Sequence, residues 1–276
     1  MSAAELGAWL AGALGRAPRA LTLGAAAHLV VALACAAALA LPASPVLGLH
    51  PAVKPLKFAV SIAVFLGTMA LLLPRLALTP GARAALSTVL AGAMALEMAA
   101  IGGQALRGAP SHFGARTPLD AAVWTAMVLT IVGATIALVV VAWVATTRPL
   151  ALDDAPDPVL LALAVRIGLV LLLLAPLSGF MMGGRGAHTV GGVDGGPGLA
   201  VVNWSRTHGD LRVPHFVALH ALQLLPLAAW ALGRWVPWAG ARRAAFAAVA
   251  VVGIALAAAT FAQALAGRPV TAARAA

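Results

Sequence analysis

The sequence predicts an all-α, polytopic transmembrane helix bundle of about seven spans, and three observations predict it. Of its 276 residues 62% are hydrophobic and only 9% charged, a composition that no water-soluble domain folds without exposing large apolar patches. Several apolar runs reach the roughly 20 residues needed to cross a hydrocarbon core of about 30 Å. Pro, Gly and charged residues punctuate those runs, as they do the loops of a multispanning chain.

The spans are expected at 21–42, 57–74, 86–106, 120–146, 159–181, 214–233 and 244–266. Residues 1–20 precede them as a cytoplasmic or interfacial segment. Residues 21–266 are the bundle, with an ordered Gly-rich loop at 182–213, and 267–276 are a C-terminal tail. The first span follows Arg16 and Arg19 and is longer than the apolar core of a signal peptide, so it reads as a retained helix. A formal charge of +10 would suggest nucleic acid in a soluble protein. Here the basic residues are scattered through interhelical loops, and the lipid bilayer is the partner they imply. The expected location is a bacterial cytoplasmic (inner) membrane, with the N-terminus in the cytoplasm and Arg75, Arg83, Arg148, Arg234, Arg242 and Arg243 on the inner side. Cys35 is the single cysteine, which removes an intramolecular disulfide, CxxC redox chemistry, covalent haem through CxxCH and thiolate clusters.

The polar residues are then taken along the chain. His28 in span 1 reads as a packed imidazole when taken alone, and its depth would also let it join a Glu97–Arg166 pair. Lys57, Ser61 and Thr68 make a polar stripe on span 2, behind His50 and Lys54. On span 3, Glu97 and Gln104 share a helix face with Ile101 between them, and Arg107 follows. Glu97 is the acidic residue deep in a span and Arg166, on span 5, the basic one. Each is costly alone in hydrocarbon, and the two are expected to pair. "TPLD" at 117–120 predicts a helix start, with Thr117 as N-cap, Pro118 at N1 and Asp120 closing a capping box. "SHF" before it has no such structural use, so His112 is the better ligand candidate.

The Gly-rich loop carries Asn203 and Trp204 beside Arg206, His208, Asp210 and Arg212, which suits an ordered binding loop better than a linker. Asp194, ahead of Gly195 and Gly196, reads as a turn residue. In span 6, His215 and His220 stand about 140° apart around a helix and cannot chelate one ion from one face. His220 and Gln223 share a face. A short echo, "QALRGAP" at 104–110 and "QALAGRP" at 263–269, closes two spans that run the same way and hints at a parallel internal repeat.

The stretches "HPAVKPLKF", "QALRGAPSHFGARTPLD" and "DGGPGLAVVNWSRTHGDLRVPHFVALHALQ" resemble, over most of the chain, bacterial seven-span membrane proteins. The resemblance implies the class and carries over no activity, cofactor or site residue.

Two function classes fit these residues. In the first, an outer-face site holds a metal ion (Zn, Fe or Cu) or haem b for redox or hydrolytic chemistry. Its metal ligands are drawn from His112, His188, His208, His215 and His220, and Gln104, Arg107, Arg206 and Arg212 bind the cofactor or an anionic or lipid-like substrate. Glu97, Arg166 and Asp210 are its candidate catalytic groups. In the second, the chain is a transporter or proton-coupled carrier of a small anion that works through a Glu97–Arg166 pair. The signatures HExxH, GxSxG and Walker A are absent, which removes zincin, serine-hydrolase and P-loop readings.

Overall fold

The computed structural model describes Gly12 and residues 15–113, 117–196 and 198–271. Most of the expected 1–20 segment, and the tail from 272 onward, lie outside the described residues. The predicted class holds: seven helices are long and apolar enough to cross a membrane. They are α1 (Arg19–Ala38), α2 (Val53–Leu72, prolonged to Arg75 by a 3-10 turn), α3 (Pro80–Leu106), α4 (Pro118–Thr147), α5 (Pro158–Leu172) with α6 (Leu174–Arg185) as one span, α7 (Arg212–Trp235) and α8 (Ala239–Leu265).

Local sequence explains where these helices start and break. Thr79, Thr117 and Asp157 each accept a main-chain N–H of the first turn, and each is followed by proline at the first helical position, where the missing N–H costs nothing. The expected cap at Thr117 is formed in part: the Asp120 N–H donates to Thr117 Oγ1, while the Asp120 carboxylate accepts from the Thr117 hydroxyl rather than from its main-chain N–H. The fifth span breaks at Leu173 because Pro176 has no N–H to offer the carbonyl of Leu172. Beyond the break α6 runs to Arg185, where Gly186 at φ 64° ends it, past the expected end of the span.

The chain forms two compact units, Met1–Pro149 and Leu150–Ala276. In the first, α2 and α3 pack on α1, and α4 packs along α3. Leu21, Leu66, Met69, Leu90 and Ile101 fill its centre. In the second, α7 lies between α5 and α8 over a core of Leu160, Ala164, Ala221, Leu225, Ala229, Phe246 and Ala250. Hydrocarbon exerts no hydrophobic drive toward helix association, so close packing must supply it. At Gly168 a Cβ would stand 2.9 Å from the Leu222 Cα, and only glycine lets α5 approach α7 so nearly.

The echo in the sequence is the end of a longer repeat. The offset that pairs Gln104 with Gln263 also pairs the first residues of α2 and α7, Val53 and Arg212. It pairs both ends of α3 with those of α8, each helix having 27 residues. Without a gap it matches Pro55 with Pro214, Arg75 with Arg234, and Gly81-Ala82-Arg83 with Gly240-Ala241-Arg242. Burial follows the same register: Ala59, Ile62, Ala63, Leu66 and Ala70 on α2 correspond to Ala218, Ala221, Leu222, Leu225 and Ala229 on α7, all buried. Each unit therefore contains one copy of a helix pair, and α4 follows the first copy.

Candidate functional site

The helix ends named by the repeat are built alike. Gly108 and Gly267 take positive φ, at 65° and 71°, so that Ala109 N–H and Arg268 N–H can return to the carbonyls of Gln104 and Gln263. Each glutamine side chain then donates to a proline carbonyl, Gln104 to Pro110 at 3.4 Å and Gln263 to Pro269 at 2.6 Å. In the first unit more is attached. Gln104 Nε2 also donates to Asp120 Oδ1 at 2.9 Å, and its Oε1 accepts from Arg107, which pairs with Asp120 at 3.1 Å. This network ties the end of α3 to the start of α4.

Beside it lies a group of rings. His112 packs against Phe58, Phe113 and Trp124 with centroids 5.6, 6.1 and 5.6 Å away. Its Nδ1 faces Lys54 Nζ at 3.3 Å and Ser111 Oγ at 3.0 Å. The expected metal ligand thus sits in an aromatic and basic setting of the kind that anchors helices at a membrane interface.

Deeper in the first unit, Glu97, Ile101 and Gln104 share the buried face of α3, as their spacing predicts, with Glu97 only 4% exposed. Glu97 Oε1 is enclosed and has no hydrogen-bond partner among the described residues. One turn before it, the Met94 carbonyl faces His28 Nε2 at 3.3 Å, while His28 Nδ1 faces the Gly24 carbonyl at 2.7 Å. A neutral imidazole has one N–H and can satisfy only one of these oxygens at a time.

In the second unit the Gly-rich segment is ordered. A short ribbon pairs β1 (Thr189–Val190) with β2 (Gly209–Asp210). Asp210, 3% exposed, accepts from the main-chain N–H groups of Ser205 and Arg212 and from the Arg212 guanidinium. Asp194 does much more than turn the chain. Its carboxylate accepts from the main-chain N–H and Nδ1 of His188, the latter at 2.7 Å, and from the N–H and hydroxyl of Thr189. Burial alone would raise its pKa. The hydrogen bonds from His188 and Thr189 and the His188 ring beside it outweigh that and hold the carboxyl well below the usual carboxylate range. His208 donates its N–H to Ser205 Oγ and turns Nδ1 to Thr207 Oγ1. Its ring lies so close under Gly192 that a Cβ there would meet it at 2.6 Å.

On α7, His215 Nδ1 faces the Ala175 carbonyl at 2.8 Å and Ser178 Oγ at 3.1 Å. His220 Nδ1 faces the Phe216 carbonyl at 2.8 Å, and its ring stacks on Phe216, which meets Trp204 edge-on. Both rings therefore keep Nε2 turned away from these anchors. Among the described residues no three His, Cys, Asp or Glu side chains gather as a metal ion requires.

The expected outer-face residues are drawn from both units. Gln104, Arg107 and His112 belong to the first unit, and His188, Arg206, His208, Asp210, Arg212, His215 and His220 to the second. Glu97 and Arg166 also fall in different units, and Arg166 is half-buried on α5. Sequence reasoning passed over Asp194 as a hub, Ser178, and the rings of Phe58 and Trp124. The first of these had a usable signal, a carboxylate following a His-Thr pair across two glycines. Comparison with protein-family models, with curated proteins and with solved structures finds no match. What stands of the resemblance is its class, a polytopic membrane bundle of seven apolar helices.

Proposed function

We propose that the protein is a proton-coupled carrier of a small anion in which Glu97 carries the proton. The carrying observation is the buried Glu97 carboxyl, whose Oε1 has no hydrogen-bond partner among the described residues. It lies about 14 Å from the end of α3, at ~1.5 Å per residue, well inside the hydrocarbon. An acid kept in such a place at a cost in stability marks a proton or ion pathway more often than a packing element. The repeat supports the reading, because carriers are commonly built from two copies of one helical element.

The test uses proteoliposomes that enclose a pH-sensitive dye and receive a panel of small carboxylates and inorganic anions. The wild-type chain takes up protons with at least one of them, and Glu97→Gln, which keeps the shape but cannot exchange a proton, does not. Anion-driven proton uptake that survives in Glu97→Gln contradicts the proposal.

A second reading, a metal or haem site on α7, has one observation in its favour. His215 and His220 anchor Nδ1 on main-chain carbonyls and present Nε2, the usual arrangement of a ligating imidazole. Metal analysis and a visible spectrum of the purified chain test it. A bound metal or a Soret band that disappears in His220→Ala supports it, and a colourless, metal-free, folded protein removes it.

A further inference from the structure

We propose that Arg83, at the end of the first unit where α2 gives way to α3, binds the phosphate group of an anionic lipid. The repeat supplies the comparison. Arg83 corresponds to Arg242, within the same Gly-Ala-Arg triplet. In the second unit that arginine is neutralised: Arg242 Nε donates to Asp157 Oδ2 at 3.0 Å, and its Nη1 reaches the carbonyls of Val236 and Pro237. Asp157 is also the N-cap of α5.

Among the described residues Arg83 forms no ion pair, and residues 15–96, which include both helices that meet beside it, contain neither Asp nor Glu. Arg83 makes one long hydrogen bond, Nη2 to the Leu78 carbonyl at 3.4 Å, and its Nε is enclosed with no acceptor among the described residues. A guanidinium is always charged and carries five donors in a planar fork. Here the two Nη groups, held by a single long hydrogen bond, are the part of that fork left to offer.

More positive charge stands close by. Arg148 Nη1 donates to the Ala77 carbonyl at 3.1 Å, so two guanidinium groups meet the main chain at successive residues, whose Cα atoms are about 3.8 Å apart. Arg75 precedes them at the end of the 3-10 turn. A negatively charged group that accepts from several N–H donors is a phosphate, which arginine forks match bidentately. At the end of a membrane-spanning helix the abundant source is an anionic headgroup, and the basic helix end would select it over a zwitterionic lipid.

The test follows thermal unfolding of the full chain in detergent with added phosphatidylglycerol, phosphatidylcholine or inorganic phosphate. Phosphatidylglycerol raises the wild-type midpoint by about 5 °C, phosphatidylcholine does not, and Arg83→Gln loses most of the rise while Arg242→Gln keeps it. Should Arg83→Gln fail to fold, Arg83→Lys, which keeps the charge and loses the fork, shows a reduced rise. A rise produced equally by inorganic phosphate and lost in the Arg83 variants upholds the phosphate site and assigns it to free phosphate. No rise with either phosphate source, or an undiminished rise in folded Arg83 variants, overturns the proposal.

Discussion

The two copies of the helix pair share a register but differ in what has been added to it. At the Gln-Ala-Leu-x-Gly-x-Pro helix ends, Gln263 folds back only on Pro269, whereas Gln104 is also bound by Asp120 and Arg107. Arg107 corresponds to Ala266. On the helix before it, Glu97 is buried while its counterpart Leu256 is half-exposed. On the preceding helix the difference is reversed, Ser61 standing where the second unit has His220. Shared positions carry the packing, and the proposed proton carrier Glu97 sits where the copies disagree.

The largest expected effect breaks the comparison at Glu97. Glu97→Gln lowers anion-driven proton uptake to the background of empty vesicles, whereas Leu256→Gln, at the corresponding place in the other copy, leaves it unchanged. Next in size is the contrast between the glutamines. Gln104→Ala strips a buried partner from both Asp120 and Arg107 and costs about 2–3 kcal/mol. Gln263→Ala removes one hydrogen bond from a partly exposed end and costs about 0.5–1 kcal/mol. Thermal unfolding in detergent reads both, and equal losses would show that the two ends are used alike.

The smallest effect concerns the loop, which belongs to the second unit alone. Asp194→Asn keeps the size of the side chain but loses the charge that His188 and Thr189 hold, at a cost of about 1–2 kcal/mol near neutral pH. The sign follows from the lowered pKa. A carboxyl more acidic in the folded chain stabilises it fully above the ordinary carboxylate pKa near 4, and loses that contribution as the pH falls further. Wild type and Asp194→Asn therefore converge in stability only in acid, and a gap that widens in acid would reverse the assignment.

Much of the fold was legible because bilayer thickness is a strict ruler: apolar length located the spans and Thr117-Pro118 the start of α4, whereas Thr79-Pro80, the start of α3, was not read and that helix begins six residues before the expected 86. The break at Leu173 was less so, since the continuous apolar run masks the effect of Pro176. The shared face of Glu97 and Gln104 followed from helical period. The repeat was visible only where Gln, Gly and Pro interrupt an Ala- and Leu-rich background, and its full extent emerged from helix bounds and burial. The site was read least well, because a histidine in a sequence does not reveal its neighbours. The setting of His112 among Lys54, Phe58 and Trp124, and the hydrogen bonds that Asp194 gathers in the loop, were not legible.

The most direct measurement of the central claim separates coupling from binding. Labelled anion is followed in proteoliposomes with the anion that drives proton uptake, first as exchange at equal concentrations and then as accumulation driven by a pH gradient. A Glu97→Gln variant that still exchanges within about 3-fold of wild type but no longer accumulates shows that Glu97 couples the proton to the anion. A folded variant that accumulates like wild type, or that loses exchange and accumulation together, contradicts that role.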